Sequence, residues 1–155
     1  MDNLRLEDRQ EIDLCLEGSG LDPVDAVLEQ WRVADICEAI LTDSGAVAGV
    51  WGVHKNPMMP TCGLIWMLGT PLLPSVTVPF LRECPRAIGR AHALYEVLAC
   101  TAWRENSLHL TWLDWCGFGR LDPGFGHFIA FTYVRPTGST TDYAGGDCGL
   151  GGSTA

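Results

Sequence analysis

The sequence predicts a mixed α/β (α+β) fold: a central mixed sheet flanked by helices, with a flexible glycine-rich tail. Three observations carry this expectation. Apolar runs of strand length, "AVAGVWGVHK" at 46–55 and "CGLIWMLGT" at 62–70, are rich in β-branched and small residues. Segments with helical spacing precede and follow them. Toward the C-terminus strands and helices alternate, until the composition turns to Gly, Ser and Thr after Pro136.

The elements follow in order. Leu6, Ile12 and Leu16 lie among charges over residues 5–17, which predicts a short amphipathic helix. A further strand is possible near residues 1–6. "GSGLDP" breaks the helix, and Asp22 then caps a second one with Pro23 in its first position. Val24, Val27, Leu28, Trp31 and Leu41 trace one face, so this helix is expected to run to about Thr42. "DSG" at 43–45 is a turn into the strand at 46–55, and "NPMMPT" at 56–61 links it to the strand at 62–70. Both faces of that second strand are apolar, which suits a central position. Thr77 and Pro79 begin a helix reaching about His92, with Pro85 expected to kink or restart it. "LYEVLACTAW" at 94–103 reads as a buried strand. Asn106 caps a helix over 107–116 that Gly117 ends, and "GHFIAFTYVRP" is the final strand. The domain is therefore residues 1–135, and 136–155 is a tail too poor in apolar residues to offset the entropy of ordering.

Composition excludes several classes. The 155 residues carry a net charge of −9 with one lysine, Lys55, which makes nucleic acid a poor partner. No run is long and apolar enough for a membrane span, and the polar start "MDNLRLEDRQ" is not a secretory signal. The seven cysteines form no CxxC and sit mostly in apolar patterns, as reduced thiols used for packing. Cys116 with His109 or His127 lacks metal-ligand spacing, so no metal is expected. No Ser-His-Asp or Cys-His arrangement can be defended, and no catalytic residue is assigned.

Two patterns resemble a known family. Asn106, an apolar helix, and Gly117-Phe118 eleven residues after the Asn resemble the GNAT N-acetyltransferases. Trp66, Leu68 and Thr70 in "GLIWMLGTPLL", "FLRE" beyond it, and Asn106, His109, Trp112, Leu113, Gly117 and Phe118 are similar to a narrower set: GNAT-like internal virion or head proteins of short-tailed phages. The resemblance covers residues 4–134. It implies a virion or head-assembly protein, located in the particle or in host cytoplasm during assembly. Its partners would be other head or portal-region proteins, or further copies of itself.

The family grips the acetyl-CoA diphosphate with a glycine-rich loop at a helix N-terminus. The matching stretch here, "TPLLPSVTVPFLRE", has no glycine between Gly69 and Gly89, and Pro71, Pro74 and Pro79 lack the N–H a phosphate needs. Many members also carry a tyrosine seven residues after the Asn as general acid, where this chain has Leu113. The expectation is therefore a protein-binding module with no cofactor, its donor cleft closed by the Pro-rich junction. The alternative is an acetyl-CoA-dependent N-acyltransferase with a divergent donor loop, the acyl-CoA meeting Leu68, Gly69, Thr70 and Arg82.

Candidate partner contacts are Arg82, Arg86 and Arg90, four apart on one helical face with Glu83 off the stripe. They suit carboxylates or phosphate, or else pair internally with the protein's own acids. Trp112 and Trp115 form either core or an interface anchor. Tyr143 and Leu150 are the anchors expected if the tail orders.

Overall fold

The computed structural model describes residues 2–121, 124 and 126–136. The chain runs α1 (Leu6–Leu16), α2 (Pro23–Arg32), β1 (Ile36–Leu41), β2 (Val47–Lys55), β3 (Cys62–Gly69), a 3-10 turn (Leu73–Val76), α3 (Thr77–Leu94), β4 (Val97–Trp103), α4 (Ser107–Trp115), β5 (Gly119–Leu121) and β6 (Phe128–Val134). The strands form one six-stranded sheet in the order β1-β2-β3-β4-β6-β5, antiparallel except where β3 meets β4. This is the mixed sheet with flanking helices that the sequence predicts.

Local signals place most elements. The Asp22 carboxylate accepts the Val24 and Asp25 N–H groups and starts α2 behind Pro23. Gly117 ends α4 at φ +87°, where its lack of a Cβ lets the backbone turn left-handed. The Phe118 N–H then returns to the Leu113 carbonyl.

Four expectations are corrected. The second helix stops at Arg32 instead of Thr42, and residues 36–41 are β1. The pattern of "ICEAIL" also suits period two, and the Asp43–Gly45 turn folds it back onto β2 as an antiparallel pair. No strand forms at residues 2–5; the Arg5 N–H bonds to the Gly69 carbonyl and the chain enters α1. α3 does not restart at Pro85 and continues through it as one helix. β5 is a three-residue strand that the sequence reading lacks.

The core lies on one face of the sheet. Val53, Ile65, Met67, Leu98, Ala102 and Phe131 are buried there against α3 and α4. Packing is tight: a Cβ on Gly63 would come within 2.5 Å of the Tyr95 ring. Tyr95 donates its hydroxyl to Asp35, and burial, with that carboxylate, pushes its pKa up to about 12. The opposite face, under α1 and α2, is more thinly covered, and α2 buries no residue. Among the described residues no helix is long and apolar enough to cross a membrane.

Candidate active site

β3 and β4 pair only at Cys62–Val97, Gly63–Leu98 and Leu64–Ala99. Both strands continue, to Gly69 and Trp103, without further pairing to each other. Strand backbones alternate, so the Ile65 carbonyl and both polar groups of Met67 face the same gap as Gly69, and Thr101 the same gap as Trp103, while the Ile65 N–H closes the last rung to Ala99.

Helix α1 bridges the mouth of this gap. Asp8 accepts the Gly69 N–H at 2.6 Å, and Glu11, one turn on, accepts the Trp103 N–H at 3.0 Å. From α4, the Asn106 side-chain amide donates to Asp8 at 3.2 Å and to Glu11 at 2.8 Å. This corrects the capping role expected of Asn106: its side chain makes no cap bond and is spent on the two carboxylates. His109, one turn along α4, lies with Nδ1 3.3 Å from Glu11 and Nε2 3.3 Å from Asp8. The Nε2 contact lacks hydrogen-bond geometry, and this buried atom has no partner.

Burial works to raise the Glu11 carboxyl pKa. The hydrogen bond and charge of His109, with the Asn106 and Trp103 donors, outweigh it and hold the group below its ordinary value. Arg5 lies 3.5 Å from Asp8 but is shared with Glu7 at 3.3 Å. Asp8, Glu11 and His109 each offer a ligand atom within 4.8 Å of the others, a set that suits a divalent ion. The Asn106 amide already supplies the positive partner between the two carboxylates.

A cavity of about 610 Å³ opens at this cluster and passes through the gap. One wall is α1 and α2, with Ile12, Leu16 and Val27, facing Leu64, Trp66 and Leu68 of β3. The other end reaches His109, Trp112 and Leu113 of α4. Cys100 also lines it, but burial, with the Glu11 charge, pushes its thiol up to about 12, so it stays protonated and a poor nucleophile.

The Pro-rich junction does not close this cleft, contrary to expectation. None of residues 69–80 lines the cavity, and Leu73 and Val76 turn into the core instead. Several junction amides are already engaged. The Thr70 N–H goes to Ala48, Leu72 to the Thr70 hydroxyl, Leu73 to the Thr70 carbonyl and Ser75 to Leu72. Pro71, Pro74 and Pro79 have none to give. The first turn of α3 does lack a side-chain cap.

The other predicted residues divide. Leu68 lines the cavity, Gly69 ends β3 and Thr70 follows it. Arg82 is exposed and has no ion-pair partner among the described residues. Arg86 pairs with Glu83, and Arg90 with Glu83 and Glu38, so Glu83 joins the arginine stripe instead of standing off it. Trp112 packs on Phe80 and donates to Cys84 Sγ, while Trp115 is exposed, so the two sit in different surroundings. Tyr143 and Leu150 lie outside the described residues. No disulfide forms among the described cysteines. Sequence reasoning misses Asp8 and Glu11 altogether; their signal is a matched spacing, Asp-x-x-Glu on α1 and Asn-x-x-His on α4.

No protein-family model and no curated protein matches the chain. Solved structures do. A Bacillus subtilis acetyltransferase in complex with CoA superposes with a TM-score of 0.57 at 15% identity, over 84% of this chain and 92% of that one. The GNAT domain of S. lividans PAT gives 0.60 at 11% identity, over 85% and 79%. The Campylobacter jejuni N-acetyltransferase PseH, in complex with acetyl coenzyme A, gives 0.52 at 16% identity, over 82% and 92%. With the parted central strands, these likenesses establish that the chain has the GNAT acetyltransferase fold.

Proposed function

We propose that the protein is an acyl-CoA-dependent N-acyltransferase with a divergent donor loop. The observation that carries this reading is the gap: β3 and β4 separate after three paired residues and leave a through-going cavity with an acid–imidazole cluster at its mouth. The residues fit one part of the donor and not another. The Ile65 carbonyl and the bare edges at Met67 and Thr101 suit an extended arm bearing amides, such as pantetheine, by strand-like pairing. The junction offers no diphosphate cradle, which leaves the uncapped start of α3 and the unpaired Arg82 to meet the phosphates.

Acyl-CoA supplies a thioester, whose C–S bond breaks as the amine nitrogen forms the new C–N bond. Glu11 and His109 stand where the amine must shed a proton, Glu11 held ionised by its donors. Leu113 cannot protonate the departing thiolate. His109, beside both carboxylates with its Nε2 unpartnered, is the group placed to carry the proton across. The test is acetyl-CoA calorimetry on the full chain. Micromolar binding is expected, weakened at least tenfold by Met67→Pro, which removes an N–H facing the gap. No heat at millimolar coenzyme overturns the reading.

A second reading is favoured by the spent junction amides and by Leu113. In it the fold serves as a binding module in a phage virion, joined to head or portal-region proteins or to copies of itself. Finding the chain by mass spectrometry in purified particles, with no acetyl-CoA binding, would decide for it.

A further inference from the structure

We infer that the acceptor side of the cavity is built for a primary monoamine on an apolar body, without a carboxylate. The inference deepens the acyltransferase reading and rests on it only for the acyl transfer that comes after the amine has bound. Three features carry it.

The first is charge. Asp8 and Glu11 are drawn together at the cavity mouth, and Arg5, the arginine that pairs with Asp8, is shared with Glu7. Each carboxylate offers about four lone-pair positions. Asp8 takes the Gly69, Asn106 and Arg5 donors and its side chain is 0% exposed, so it contributes charge, while Glu11, 14% exposed beside Trp103, Asn106 and His109, keeps room for a further N–H. An ammonium group is the ligand that completes such a pair, because a charge-assisted hydrogen bond is roughly twice as strong as a neutral one.

The second is the wall. Ile12, Leu16, Val27, Leu64, Trp66 and Leu68 surround the approach to the carboxylates. A hydrocarbon or aryl body gains by leaving water there, at about 25 cal/mol per Å². Among the described residues no carboxylate but Asp8 and Glu11 lines the cavity, so a second ammonium on the same ligand finds no charged partner there, which disfavours polyamines.

The third is what is missing among the described residues. No lysine or arginine lines the cavity. An amino-acid acceptor would bring a carboxylate to a site with two carboxylates of its own and no cation to receive it. Such like-charge placement is a strong device for rejecting a ligand.

The experiment is direct titration of the full chain, without coenzyme, with four probes. Tryptamine is expected to bind at least about tenfold more tightly than tryptophan, which adds a carboxylate, and than tryptophol, which replaces the amine by a hydroxyl. Spermidine is expected to be weaker than tryptamine by a similar factor. Glu11→Gln keeps the shape and should bring tryptamine down toward tryptophol. Equal binding of tryptamine and tryptophol, or a preference for tryptophan or spermidine, overturns the inference. Coenzyme turnover with amino acids would sink it while leaving the acyltransferase reading intact. Tryptamine binding without any coenzyme binding would do the reverse.

Discussion

The two faces of the sheet are built for different work. Toward α3 and α4, bulky side chains interlock with almost no exposure: Val53, Leu98 and Phe131 are all at 0%. Toward α1 and α2, Leu64, Trp66, Leu68 and Ala99 remain half-buried, and Leu28 and Trp31 of α2 point apolar surface outward. One face supplies most of the stability, and the cavity opens on the other and reaches α4 through the gap. The seam between them is the gap where β3 and β4 part. Functional sites commonly occupy such weakly packed ground, because a face filled to crystal density has no space to bind.

The largest test of this contrast is Phe131→Ala. It empties a fully buried aromatic position and should cost about 3–5 kcal/mol in urea unfolding. Next is the seam, through pH. Glu11 has a folded pKa below its unfolded value, so it contributes stability above the ordinary glutamate range. That contribution is lost as pH falls through the lowered folded value. Glu11→Gln should therefore flatten the acid limb of the stability curve, measured by urea midpoints from pH 7 to pH 3. An unchanged acid limb would remove the seam from the account. The smallest effect belongs to the thin face. Leu28→Ala should change stability by under about 0.5 kcal/mol, because the side chain is 38% exposed. A loss of 2 kcal/mol there would mean that α2 is core after all.

Much of the fold is legible because its signals are local. Asp22-Pro23 starts a helix, Gly117 ends one, and the apolar runs of β2 and β3 match strand length. β1 reads as helix because "ICEAIL" satisfies both periods, and only pairing with β2 chooses between them. β5 is too short for any period to show. The site is mostly illegible for a different reason. Asp8 and Glu11 look like ordinary surface acids on a charged helix. What buries Asp8 is Gly69, 61 residues away, and Asn106, 98 residues away. The junction shows the reverse: its lack of donors is local chemistry and readable, while its position beside an open gap is not.

Because α1 reaches Trp103 across 92 residues of chain, synthesis makes the two halves of this contact at very different times. A growing polypeptide holds its first helix long before it owns the strand tip and asparagine that the helix must grip. Until then both acids stay hydrated and the clamp has only one jaw. The mouth of the cleft is thus a product of the finished domain, and a nascent fragment lacking α4 carries the same acids without the pocket they guard.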